Sequence, residues 1–130
     1  MTDEIKKEEI VVNELKEETP KIKYDDFKKV EIKIGKILAV EKIEKSDKLL
    51  KLSVDFAEAG GPRQILSGIA KYFPQMEELI NKKCAFVTNL EPKPLMGFES
   101  NGMILAVGGG EEPFSLFEVQ DESMVGRKVK

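Results

Sequence analysis

The chain has no histidine, no tryptophan and one cysteine in 130 residues, and these absences remove whole classes of chemistry. Histidine is the commonest general base and transition-metal ligand, and a lone thiolate cannot build a zinc cluster, so neither metal nor triad chemistry is expected. Cys84 lies in the apolar run CAFV, where a thiol with no neighbouring base is expected to be buried. Glycine-rich phosphate loops are also lacking: Gly108, Gly109 and Gly110 are consecutive, without the spacing or the following helix that cradles a phosphate. No stretch reads as a signal peptide, and no apolar run reaches transmembrane length. A reducing cytoplasm is the expected compartment, with no membrane partner. The 24 acidic residues fall mostly in runs such as EIKKEEI and GGGEEP that read as solvated faces. No catalytic residue and no cofactor is expected, which makes an enzyme the weakest class.

Positive charge is in short supply too, with a net charge of -3, and phosphate affinity depends on Lys and Arg releasing counterions. The distribution qualifies that deficit. Residues 1–20 carry three lysines against seven acidic residues, whereas residues 21–110 carry fifteen basic against twelve acidic. The middle of the chain is therefore mildly basic. One chain is expected to bind RNA modestly and with strong salt sensitivity, unless a dimer presents two such surfaces to one ligand.

Along the chain, Ile5, Val12 and Leu15, widened by Ile10 and Val11, make an amphipathic helix of residues 3–18, with a frayed charged tail as the alternative. Pro20 ends it, and the domain proper is expected over residues 21–130. Asp25 and Asp26 are candidate caps for a turn at Phe27–Lys29. Val30, Ile32 and Ile34 then alternate with Glu31 and Lys33. At Gly35 the phase slips so that Ile37 and Ala39 continue the apolar face, which predicts a bulge at the glycine. Leu50, Leu52, Val54 and Phe56 give a second, half-buried strand, and a turn through Gly60 and Gly61 leads to a third at residues 63–68. A short helix is predicted from Pro74 through Ile80 with Asn81 as a left-handed C-cap, followed by strands over residues 84–90 and 102–107. Composition and periodicity alone support a small mixed barrel. FSLFEVQ, residues 114–120, reads as a sixth strand with an aromatic on each face: either a partner covers one face, or Phe114 and Phe117 cap the barrel end.

The most informative stretch is NLEPKPLMGFESNGMILAV, residues 89–107, in which an apolar run ends in a Pro-rich polar loop that feeds another. Asn89, Lys93, Ser100 and Asn101 supply hydrogen bonds and charge there, and Met96 and Phe98 flat apolar contact. With SDKLLKL at residues 46–52 and RQILSGIAKY at residues 63–72, this loop resembles the tRNA-binding domain found as the C-terminal module of methionyl-tRNA synthetases and as free-standing proteins. The resemblance runs from Tyr24 to Lys130.

What it implies is an all-β OB-fold: a five-stranded Greek-key barrel with a short helix and a C-terminal extension that acts in dimerisation from about residue 111, while the N-terminal helix read from periodicity lies outside the resemblance. It also implies structure-specific, largely sequence-independent tRNA recognition without an aminoacylation site. The expected partners are tRNA, a second copy of the chain and, as one open version, a methionyl-tRNA synthetase catalytic subunit. Onto this sequence the expected tRNA-binding residues are Lys33, Lys48 and Lys93 for phosphates, Ser67, Asn89 and Ser100 for phosphate or ribose oxygens, and Met96 for a base or sugar. Two positions depart from the family pattern, since Glu91 and Pro94 stand where relatives often carry basic residues. A chaperone-like, peptide-binding dimer of related fold, with its cleft beside Met96, Phe98 and Met103, is the alternative.

Overall fold

Leu50, Leu52 and Val54 alternate with Lys51, Ser53 and Asp55, and in the computed structural model, which describes residues 18–130, that alternation becomes strand β2 (Leu50–Asp55), its apolar side chains at most 1% exposed. β2 sits between β1 (Ile32–Lys42) and β3 (Arg63–Ser67), and β1 also pairs with β4 (Lys83–Val87), every pairing antiparallel. β1 thus gives its first half to β4 and its second half to β2, bending between two sheets as a barrel requires. After β4 come the hairpin β5 (Lys93–Leu95) and β6 (Phe98–Ser100), then β7 (Met103–Ile104), which returns to β4. β8 (Ala106–Gly109) and β9 (Glu112–Leu116) form a second hairpin, and β10 (Glu118–Val119) adds to the free side of β4. The result is the expected all-β barrel. The expected N-terminal helix lies outside the described residues; a single turn, α1 (Tyr24–Phe27), precedes β1, with Asp25 and Asp26 inside that turn rather than capping it.

The core joins both sheets. Ile37, Leu50, Val54, Ile65, Leu79, Cys84 and Phe86 are wholly buried, and Phe86 meets Phe56 edge to face at 5.3 Å. The predicted helix after Pro74 tightens to a 3-10 turn at Met76–Leu79, because one turn suffices to drop Leu79 into the end of the barrel. Asn81 is left-handed as predicted, with φ 76°, and its N–H donates to the Ile37 carbonyl at 2.7 Å.

β1 corrects the sequence reading in two ways. The register shift falls between Ile37 and Ala39, not at Gly35, which pairs in register with Cys84. Gly35 is required for space: a Cβ there would come within 2.5 Å of the Phe56 ring and of a Val54 methyl. Moreover, Ile32 and Ile34 do not share the core face with Ile37. They point to the opposite side of the sheet, and Ala39 is exposed while Val40 is buried. The first half of β1 is therefore apolar on its outer face.

FSLFEVQ likewise divides. β9 ends at Leu116 and β10 begins at Glu118, because Phe117 turns the chain so that its carbonyl accepts from Ala85 N–H at 3.0 Å. Phe114 stacks face to face on Tyr72 at 4.0 Å and closes one barrel end, whereas Phe117 stays half exposed. Residues 126–129 then run along β1, with Ile34 N–H donating to Arg127 O and Val129 N–H to Ile32 O. They cover the edge that β2 leaves free.

Candidate nucleic-acid interface

The polar stretch after β4 is a structured arm. Met96 and Gly97 join β5 to β6 with φ of 51° and 85°, the paired positive values that let a two-residue turn follow the twist of its strands. Glycine adopts such a backbone freely; methionine does so at the expense of a Cβ clash. The arm thus carries a strained, half-exposed apolar side chain at its tip.

The base of the arm closes the barrel. β3 and β7 lack a regular ladder, and Ser100 bridges the gap: its Oγ accepts from Leu66 N–H at 3.0 Å and donates to Gly102 O at 3.2 Å, while Asn101 N–H donates to Gln64 O at 2.9 Å. Higher up, the Gln64 amide donates to Glu99 O at 3.0 Å. Asn89 acts similarly at the chain's entry, its Oδ1 accepting from Glu31 N–H and its Nδ2 donating to Lys29 O. Ser100 and Asn89 therefore spend their polar atoms on the framework.

The lysines divide by surroundings. Lys33 is mostly covered, its ammonium 3.8 Å from Glu58 and 3.9 Å from Glu31. Arg63 holds Glu58 through two hydrogen bonds of 2.9 and 2.6 Å and also donates to the carbonyls of Thr88 and Asn101. The Thr88 hydroxyl donating to Glu31, with Lys33 and Lys128 beside it, holds that carboxyl below its ordinary range against the opposing effect of desolvation. The Arg63 guanidinium does the same for Glu58, first by hydrogen bonding and then by charge. Lys33 is thus one of three cations, with Arg63 and Lys128, that share the carboxylates of Glu31 and Glu58. By contrast Lys48 and Lys93 are exposed, and neither pairs with a carboxylate among the described residues. Ser46 fixes the turn under Lys48, its Oγ accepting from the N–H groups of Lys48 and Leu49.

Two hollows flank the arm. Asn89, Lys93 and Ser100 come together in a groove of about 680 Å³ whose apolar lining is Leu66, Leu90, Leu95 and Met103. Met96 belongs to the other side, with Phe98, three lysines (Lys42, Lys45 and Lys51) and two carboxylates (Glu41 and Glu44). Lys33 and Lys48 lie in neither hollow, and Ser67 sits half-buried at the end of β3, opposite Leu50. Sequence reasoning missed Lys42, Lys45 and Lys51. The available signal was Lys51 on the outward side of β2, where its ammonium stands 4.4 Å over the Phe98 ring and 3.1 Å from Glu41.

Elsewhere Cys84 is fully buried, and burial pushes its thiol up to about 12, so it is no nucleophile at neutral pH. On the outer face of β1 and β4, Ile32, Ile34, Leu105, Leu116, Phe117 and Val129 make a continuous apolar surface. Among the described residues no helix is long and apolar enough to cross a membrane.

Residues 32–128 match the family described as putative tRNA binding domain. The chain is 55% identical over 92 residues to methionine–tRNA ligase of Methanoregula boonei, which covers 71% of this chain and 13% of that one. It is 44% identical over 125 residues to the ligase of Campylobacter jejuni, covering 92% of this chain and 19% of that one. It therefore spans less than a quarter of the curated relatives it matches. Among solved structures, the MetRS related protein from Pyrococcus horikoshii is 38% identical with a TM-score of 0.76, covering 86% of this chain and all of that one. The CsaA chaperone protein from Picrophilus torridus is 31% identical with a TM-score of 0.73, covering 85% of this chain and all of that one.

Proposed function

The chain belongs to the tRNA-binding domain family, and from that premise we propose that it binds tRNA by shape and backbone through the arm and the lysines around it. The observation that carries the reading is the set of exposed lysines about a projecting apolar tip: Lys42 and Lys45 beside Met96 and Phe98, where Glu41 and Glu44 also stand, with Lys93 on the other flank and Lys48 in the β1–β2 loop. Ammonium groups on flexible stems suit phosphates, and a thioether suits the face of a base or sugar. Without tryptophan, base stacking is a small contributor to affinity.

In this reading the chain is non-catalytic and cytoplasmic, and raises tRNA affinity for aminoacylation by a methionyl-tRNA synthetase subunit. It works as a homodimer through its C-terminal extension. The outer face around Ile34, Phe117 and Val129 supports the dimer, since a contiguous apolar surface with a polar rim marks an association site. Dimerisation would set two mildly basic surfaces on one ligand, which offsets the net charge of -3.

One observation favours a second reading. The groove lined by Leu66, Leu90, Leu95 and Met103 is apolar enough for a peptide side chain, and a similar structure is named a chaperone. The test is an anisotropy titration of bulk tRNA at low and moderate salt, with duplex DNA and an unfolded apolar peptide as competitors. Salt-sensitive binding that neither competitor displaces supports tRNA. Absence of tRNA binding together with peptide binding overturns it in favour of the chaperone.

A further inference from the structure

The groove on the Lys93 flank of the arm has a composition that phosphate binding does not explain. Its floor is Leu66, Leu90, Leu95 and Met103, with Leu90 and Met103 nearly half exposed, so that the hollow offers apolar surface to solvent. The rim holds one carboxylate, Glu91, and one ammonium, Lys93. Neither makes a salt bridge among the described residues, so both stand available to a ligand. Ser100 and Asn89, the neutral polar groups of the same lining, are already satisfied by the framework. A ligand here must be flat or apolar in body, must carry an anion for Lys93, and must offer N–H donors to Glu91.

A nucleotide meets all three conditions, and the geometry points to this groove as a pocket for one unpaired guanine of the bound RNA, an inference that rests on the tRNA-binding reading. The ring lies on the leucine and methionine floor, and the phosphate beside it meets Lys93. Glu91 then selects among bases by elementary donor chemistry. A carboxylate accepts two parallel hydrogen bonds, and only guanine presents two adjacent donors, N1–H and the N2 amine, on its pairing edge. Adenine and cytosine set a ring-nitrogen acceptor beside their amine, and uracil flanks its one N–H with carbonyls, so each brings a lone pair against the carboxylate. Because that edge is occupied in a duplex, the pocket takes a base from a loop or an end.

The test uses the full chain with labelled Leu and Met methyl groups, titrated by NMR with the 5'-monophosphates of guanosine, inosine, adenosine, cytidine and uridine, beside anisotropy of bulk tRNA. Guanosine monophosphate is expected to shift the Leu90, Leu95 and Met103 methyls with an affinity about tenfold tighter than the adenosine compound, the discrimination typical of a bidentate contact. Inosine, which lacks only the N2 amine, falls between them. Glu91→Gln is expected to remove most of the preference, weakening the guanosine compound and strengthening the adenosine compound, whose amine and ring nitrogen match the acceptor and donor of the amide. Equal shifts from all five nucleotides, or shifts confined to other methyls, while tRNA still binds, overturn the pocket and leave the tRNA reading standing. Loss of tRNA binding in the unaltered chain overturns both. An apolar peptide that moves the same methyls and expels guanosine monophosphate assigns the groove to peptide instead. The inosine comparison decides the matter even if the variant fails to fold.

Discussion

The Ser100 hydroxyl accepts the Leu66 N–H at 3.0 Å across 34 residues of chain, so a side chain completes the barrel where β3 and β7 do not pair. Replacing Ser100 by Ala would leave that buried N–H unsatisfied, at a cost of about 1–3 kcal/mol. Urea denaturation measures the loss. If Ser100 serves the framework alone, tRNA affinity of the folded variant stays within about twofold, below 0.5 kcal/mol; a tenfold loss at unchanged stability would place the hydroxyl on the ligand.

Met96 tests strain against function. Asn tolerates the left-handed backbone better than Met, so Met96→Asn is expected to raise stability by several tenths of a kcal/mol, up to about 1. The same change removes the apolar tip and is expected to weaken tRNA binding several-fold. Opposite movement of melting temperature and affinity identifies a residue kept for contact; a variant better in both respects rejects that role.

The cations separate by salt dependence. Replacing Lys42, Lys45, Lys48 and Lys93 with Ala is expected to flatten the slope of log affinity against log salt by about 0.7 for each phosphate no longer neutralised. Lys33→Ala is expected to leave the slope unchanged and lower stability, since it uncovers Glu31 and Glu58. A flattened slope in the Lys33 variant would return that residue to the interface.

Acid should undo the network around Arg63. The folded-state values of Glu31 and Glu58 are both lowered from 4.5, chiefly by hydrogen bonds from Thr88 and Arg63 respectively. A lowered carboxyl contributes stability that is present above its unfolded value and is lost as pH falls through the folded one. The urea midpoint is therefore expected to hold at neutral pH and to fall below about pH 4.5. Glu58→Gln should be less stable at pH 7 and shallower in its acid decline, and an unaltered acid profile would remove Glu58 as a contributor.

The apolar outer face predicts association. Phe117→Asp places a charge in the centre of the surface shared with Ile34 and Val129; light scattering is expected to show a dimer for the unaltered chain and a folded monomer for the variant. A variant that stays dimeric moves the interface elsewhere.

Local chemistry was legible in the chain before any fold was known. Period-two alternation from Leu50 to Phe56 specified a half-buried strand, the lone Cys84 at the head of the apolar run CAFV specified a buried thiol, and Asn81 marked a left-handed stop. Motifs at residues 46–52, 63–72 and 89–107 sufficed for the family. Folding decided whatever depends on partners distant in the chain. Asn89 and Ser100 read as ligand donors until Glu31, 58 residues away, and Leu66, 34 residues away, claimed them. Ile32 and Ile34 were joined to the face of Ile37 only through a phase slip read at Gly35; the strand keeps its alternation there and turns them outward, because alternation shows which residues share a face without showing where a bulge resets it. The hairpin went unread since Met-Gly lacks the Asn-Gly signature of its turn. Whether a cation is free or neutralised, as Lys93 and Lys33 illustrate, is likewise a matter of which carboxylates folding brings within about 4 Å.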